Sequence, residues 1–200
     1  QIALENNLFM ISDEAYGFLV YDNLPYFSMT SIPELKEYLI TIYSFSKMFC
    51  MTGWRVGYMY GSARIVDQVL KVHDAFAICA PTISQYAALA ALKVTNGKDG
   101  EGDRSIQQLI AGLASRREIT CQRLNNLSHI FSYIKPRGAY YVFPKIIIGG
   151  MGSMDLSLNL LYEAKVITIP GSGFGPSGKA HIRFAFGATE EQINEAFNRI

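Results

Sequence analysis

Three features of this 200-residue sequence predict an α/β fold. Short apolar, β-branched and aromatic runs at 8–12, 38–43 and 56–61 have the character of buried strands. Longer segments at 62–73, 82–94 and 104–127 place apolar residues at helical spacing. Strand and helix patterns alternate again from 135 to the end.

Half the residues are hydrophobic, enough to bury a sizeable core in one or two domains. Lys+Arg 18 against Asp+Glu 17 leaves a net charge of +1, so no basic field points to nucleic acid or an anionic membrane. Cys50, Cys79 and Cys121 lie far apart with no CxxC pair, which reads as reduced thiols in a cytoplasmic protein. His73, His129 and His181 are isolated, and no metal site is expected. No apolar run approaches the roughly 20 residues that span a bilayer. The sequon at Asn126-Leu127-Ser128 is read as chance. The chain opens at Gln1 on what looks like the end of a helix, and it reads as a piece of something longer.

In order, Leu8–Ser12 is a continuous apolar run delivering Asp13-Glu14-Ala15-Tyr16 at its end. That pattern suits a buried parallel strand, whose C-terminal edge is where ligands bind in open α/β sheets. Asp13 and Tyr16 are the candidates there, against the plainer reading that Asp13 caps the next turn and Tyr16 packs. The aromatic, proline-containing stretch from Tyr21 to Pro33 reads as a loop. Tyr38–Tyr43 reads as a buried strand that hands over directly to Ser44.

The segment from Ser44 to Gly57 holds a lysine, Lys47, two hydroxyls (Ser44, Ser46) and an arginine, Arg55, among largely apolar residues. An amine in apolar surroundings loses its proton more readily and can attack a carbonyl. A guanidinium with converging hydroxyls suits a phosphate. Pyridoxal 5'-phosphate (PLP) needs both; the alternative is a surface lysine and an unrelated ion-paired arginine.

Val56–Gly61 is the next strand, and Ser62 caps a helix followed by an Ala-rich one from Thr82 or Ser84 to Val94. The polar, glycine-rich stretch from Asn96 to Asp103 divides the chain into 1–98 and 99–200. On the long helix that follows, Arg116, Arg117, Glu118 and Arg123 read as a solvated face. The glycine cluster at 149–152 lacks a GxGxxG pattern or a P-loop lysine and reads as a flexible connection. A helix over Asp155–Lys165, a strand over Val166–Ile169 and a last helix capped by Thr189 complete the pattern. Arg183 sits inside an apolar strand, where an unpaired guanidinium is costly. Read from the residues alone, it calls for a structural ion pair. Tyr140 and Tyr141 either line a pocket or pack.

Ser-Phe-Ser-Lys at 44–47 with Gly-Trp-Arg-Val-Gly at 53–57 resembles the lysine signature of class I and II PLP-dependent aminotransferases, and Asp-Glu-Ala-Tyr at 13–16 resembles their Asp-Glu-x-Tyr element. Cys50 departs from the small residue usual at its position. The resemblance covers the whole chain but only the second half of a typical member. It implies the C-terminal part of a fold-type-I PLP-binding large domain, over 1–98, and a small α+β domain, over 99–200.

For the residues it implies that Lys47 carries PLP as a Schiff base and shuttles a proton. Asp13 would pair with the pyridine nitrogen and Tyr16 with the 3'-oxygen. Ser44, Ser46 and Arg55 would hold the phosphate, Arg183 the substrate α-carboxylate, and Tyr140 would line the pocket. The implied partners are an amino acid, a 2-oxo acid and a second subunit of a homodimer; the substrate lean is aspartate or aromatic. A PLP-dependent C–S lyase or synthase, or a non-catalytic sensing domain on the same scaffold, are the alternatives.

Overall fold

A one-turn helix, α1 (Ile2–Glu5), leads into β1 (Met10–Asp13). In the computed structural model, which describes residues 1–95 and 101–200, the chain divides into two units, Gln1–Gln108 and Leu109–Ile200. The division expected at 98/99 lies outside the described residues.

The first unit is built on a three-stranded sheet. β1 runs parallel to β2 (Leu39–Ser44), and β3 (Gly57–Tyr60) pairs antiparallel with β2, in the order β1-β2-β3. Parallel pairing requires a crossover between β1 and β2. Residues 14–38 supply it through two 3-10 turns, Met29–Ser31 and Pro33–Leu35, in place of the plain loop expected there. The short helix α2 (Phe45–Met48) lies between β2 and β3. After β3 come α3 (Ala63–Phe76) and α4 (Thr82–Thr95), both close to their expected bounds. Phe45, Met51 and Ala88 form a small buried cluster, with Phe49, Val56, Ala87 and Ala91 against it.

One expectation fails in this unit. The run leading to Asp13 does not form a strand buried on both faces: Ile11 is 69% exposed, and Ile42 of the neighbouring strand lies on the same open side. A continuous apolar run signals two covered faces, and the described residues cover one. Tyr43 and Tyr58 stack on the opposite face at 4.8 Å between ring centroids.

α5 (Glu101–Asn126) spans the division between the units. It begins at Glu101, so the last residues of the expected glycine-rich break, 101–103, are helical. The second unit follows with β4 (Phe131–Ser132), β5 (Tyr141–Val142), β6 (Lys145–Ile146), α6 (Ser153–Asn159), β7 (Ile169–Pro170), β8 (Ile182–Ala185) and α7 (Glu190–Arg199). β5-β8-β7 form one small antiparallel sheet and β4-β6 a second pair. Leu124, Phe131, Val142, Leu156, Ile182 and Phe184 are central to its core.

Three readings of this half are corrected. Arg117 is not on a solvated face: it is 2% exposed and donates from Nη1 to the Pro136 carbonyl at 3.1 Å and from Nη2 to Glu118 at 2.8 Å. Its aliphatic stem can lie in apolar surroundings while its donors reach oxygen, which a helical charge count does not reveal. The helix expected from Asp155 starts at Ser153, and its last turn, Leu160–Ala164, widens to a π-helix that ends at Lys165 in a left-handed conformation (φ 58°). The strand expected over Val166–Ile169 pairs only at Ile169–Pro170; Val166 is buried in the core as irregular chain.

Candidate active site

β1 ends at Asp13, and a turn follows in which the Gly17 amide donates to the Glu14 carbonyl at 3.0 Å. This turn presents Tyr16, whose ring centroid lies 5.8 Å from Lys47 Nζ. An ammonium at that distance from an aromatic face is electrostatically attracted to it. Two residues 31 positions apart in sequence thus meet at the C-terminal edge of β1, where the sheet topology places ligands in open α/β folds. Lys47 is half-buried.

Asp13 is exposed on the open face of the sheet, and its Oδ1 accepts from the Ala15 amide at 3.1 Å. The turn-capping reading of Asp13 is therefore realised. One oxygen holds the local turn and the carboxylate stays accessible.

Ser44 ends β2 and caps α2, its Oγ accepting from the Ser46 amide at 3.2 Å. The cap leaves the Ser44 hydroxyl proton available to donate. The Ser46 hydroxyl belongs to a buried residue, while its carbonyl accepts from Thr52 Oγ1 at 3.1 Å. Arg55 takes a left-handed backbone (φ 51°) and donates from Nη1 to the Thr52 carbonyl at 2.8 Å. Its planar fork has further N–H groups for an anion. At Gly57 a Cβ would lie 2.6 Å from the Tyr43 carbonyl, so only glycine lets β3 start beside Ser44. Cys50 has φ 53°, a conformation that Gly adopts without penalty. That explains why it is an unusual residue for its position.

A residue that sequence reading left unassigned fixes this edge. Glu14 is buried, and its carboxylate accepts from Ser28 Oγ at 2.8 and 2.9 Å, from Ser12 Oγ at 3.1 Å and from the Met29 amide at 3.3 Å. Burial works to raise its pKa. The hydrogen bonds from Ser28, Tyr26, Ser12 and the Met29 amide outweigh burial and hold it below the ordinary carboxylate range. The same contact, with burial first, pushes the Tyr26 phenol up to about 12. Glu14, Tyr26, Tyr43, Phe45 and Tyr58 help line a cavity of about 510 Å³; Asp13, Tyr16 and Lys47 do not.

Arg183 and Tyr140 belong to the second unit. Arg183 lies on β8 opposite Ile169, with its guanidinium carbon 4.5 Å from the Tyr141 ring centroid and 5.0 Å from that of Phe174. Among the described residues no carboxylate pairs with it, so the structural ion pair weighed from sequence is not formed. Tyr140 and Tyr141 are in ring contact at 4.6 Å. It is Tyr141, not Tyr140, whose ring lies against the guanidinium.

At this sheet edge β1 delivers the Asp13 carboxylate, the following turn the Tyr16 phenol and α2 the Lys47 amine, on a fold that solved aminotransferases share. The aromatic aminotransferase from Pyrococcus horikoshii superposes with a TM-score of 0.91 at 34% identity, covering 99% of this chain and 51% of that one. A Thermus thermophilus aspartate aminotransferase superposes with a TM-score of 0.87 at 28% identity, covering 99% and 49%. In sequence, an aspartate aminotransferase of Pyrococcus abyssi is 35% identical over 198 residues, 99% of this chain and 49% of its own length. An aromatic-amino-acid aminotransferase of Thermococcus litoralis is 34% identical over the same extent. The profile for aminotransferase class I and II matches residues 1–200, and the chain belongs to that family. It spans about half the length of the curated relatives it matches.

Proposed function

We propose that this chain supplies the lysine-bearing half of a PLP-dependent aminotransferase, which moves an α-amino group between an amino acid and a 2-oxo acid. The meeting of Lys47 Nζ with the Tyr16 ring at the edge beyond Asp13 carries the reading. The donor set fits PLP: an amine for its aldehyde, a carboxylate for its ring nitrogen, a phenol for its 3'-oxygen, and hydroxyls with a guanidinium for its phosphate. When bound, PLP supplies an electron sink that lowers the barrier to removing the substrate Cα proton.

Lys47 would hold the cofactor through its amine, and the free amine would take and return the substrate Cα proton as a general base and acid. Asp13 would keep a proton on the ring nitrogen, and Tyr16 would donate to the 3'-oxygen. Ser44, Ser46 and Arg55 bind the phosphate, and Arg183 binds the substrate α-carboxylate, with Tyr140 lining the pocket. The division into a cofactor-binding part over 1–98 and a small α+β domain over 99–200 belongs to the same reading. Aspartate or an aromatic amino acid is the amino donor we infer, since relatives bearing both names match equally well. A cytoplasmic homodimer is the setting we infer, from the sparse unpaired cysteines and from the likeness to the aminotransferase family.

The test joins this chain to the N-terminal half found in its relatives and follows transfer from aspartate and from tyrosine to 2-oxoglutarate. Lys47→Ala is expected to cut turnover on the order of a thousandfold or more while the fold is retained. Wild-type turnover in that variant would sink the assignment. The chain alone is expected to bind PLP weakly and turn nothing over.

A further inference from the structure

Arg183 lies inside an apolar strand, yet among the described residues its N–H groups make no hydrogen bond and no ion pair. What it has is two aromatic rings, Tyr141 from β5 and Phe174 from the turn after β7. Both rings have neighbours of their own, although Phe174 is 54% exposed. Phe174 meets Phe143 edge to face, at 5.6 Å and 85°, and Phe143 stacks on His181 at 5.0 Å and 14°. The turn carrying Phe174 is tied down on both sides: the Gly171 amide donates to the His181 carbonyl at 2.8 Å, and the His181 amide to the Gly178 carbonyl at 2.8 Å. A Cβ at Gly171 would collide with the Gly178 and His181 carbonyls, so this close approach needs glycine. Tyr141 is fixed by pairing with Ala185, two residues beyond Arg183 on the same strand.

A long arginine side chain loses considerable rotamer freedom when a ligand immobilises it. Rings against the guanidinium take up that loss beforehand, and their π-electrons stabilise the cation without using any of its N–H donors. We propose that Tyr141 and Phe174 are positioning residues that hold the Arg183 guanidinium in place with its N–H groups left for a planar carboxylate. The inference rests on the reading of Arg183 as the α-carboxylate anchor. It adds that affinity for the carboxylate depends on the two rings, which do not themselves contact it through hydrogen bonds.

The test titrates the 15N-labelled chain with 2-oxoglutarate and follows the Arg183 Nε–Hε resonance, assigned by its loss in Arg183→Lys. In wild type this resonance should show the upfield shift of a proton near ring faces and should move on titration. Phe174→Leu and Tyr141→Leu should each reduce the upfield shift and weaken the Kd about fivefold, the scale of one cation–π contact. Phe174→Tyr should bind within about twofold of wild type, because it keeps the ring. If both leucine variants bind as wild type does while Arg183→Lys binds more weakly, the bracket is wrong and the anchor reading stands. If 2-oxoglutarate does not perturb Arg183, or Arg183→Lys binds as well as wild type, the anchor reading falls and the bracket with it. The backbone spectra report whether each variant is folded, and the two leucine variants test the proposal independently.

Discussion

Glu14 stands beside Asp13 in sequence but points to the other side of the strand end, and the two carboxylates do different work. Asp13 stays exposed and accessible, whereas Glu14 collects hydroxyl and amide donors from the crossover and pins it to the end of β1. The lowered pKa of Glu14 has a consequence for stability. A carboxyl that titrates lower in the folded state contributes stability that is fully present above its unfolded value and is lost as pH falls through the folded one. Glu14→Gln is therefore expected to lower the melting temperature at pH 7, by losing about 1–3 kcal/mol of charge-assisted hydrogen bonding. The gap between variant and wild type should narrow as pH drops below the ordinary carboxylate range. Thermal melts of both proteins from pH 7 to pH 3 check this; a gap that does not change with pH would contradict it. Lys47, Asp13 and Tyr16 could be singled out as candidates from the sequence because each sits in a short contiguous motif. The role of Glu14 was not, because Ser28 and Met29 are 14 and 15 residues away and only the folded crossover brings them back.

At the scale of elements, periodicity located most helices well. α3, α4, α5 and α7 carry helical spacing, and in α7 Thr189 forms a capping box with Gln192. It failed where tertiary context decides. Val166–Ile169 has strand composition, but only its last residue finds a partner strand. Arg117 has a polar label, but α5 turns it inward, where it reaches the Pro136 carbonyl and Glu118. Glu118 also accepts from Lys135 at 2.8 Å, which, ahead of the Arg117 contact, holds its carboxyl below the ordinary range. Glu118 is half exposed, so that pair contributes little. Arg117 is the sensitive member: Arg117→Ala should destabilise by on the order of 2–4 kcal/mol, through lost packing and an unpaired Pro136 carbonyl. Glu118→Ala should cost under about 1 kcal/mol. Urea unfolding of both variants measures the difference, and equal costs would refute the burial argument.

For the whole molecule, the lysine signature and the Asp-Glu-x-Tyr element pointed to one family, and the family match extends over all 200 residues. The open face of the first sheet, with Ile11 and Ile42 uncovered beside Asp13, was not readable because an apolar run does not say which chain segment covers it. We propose that Lys47, set against Tyr16 at the sheet edge, is the amine that takes the cofactor aldehyde. The most direct test incubates the chain with PLP, reduces with borohydride and maps pyridoxyl adducts by peptide mass spectrometry, with Lys47→Ala as control. The account predicts an adduct concentrated on Lys47 and absent from the control. Adducts spread over other lysines with none favoured at Lys47 would contradict it.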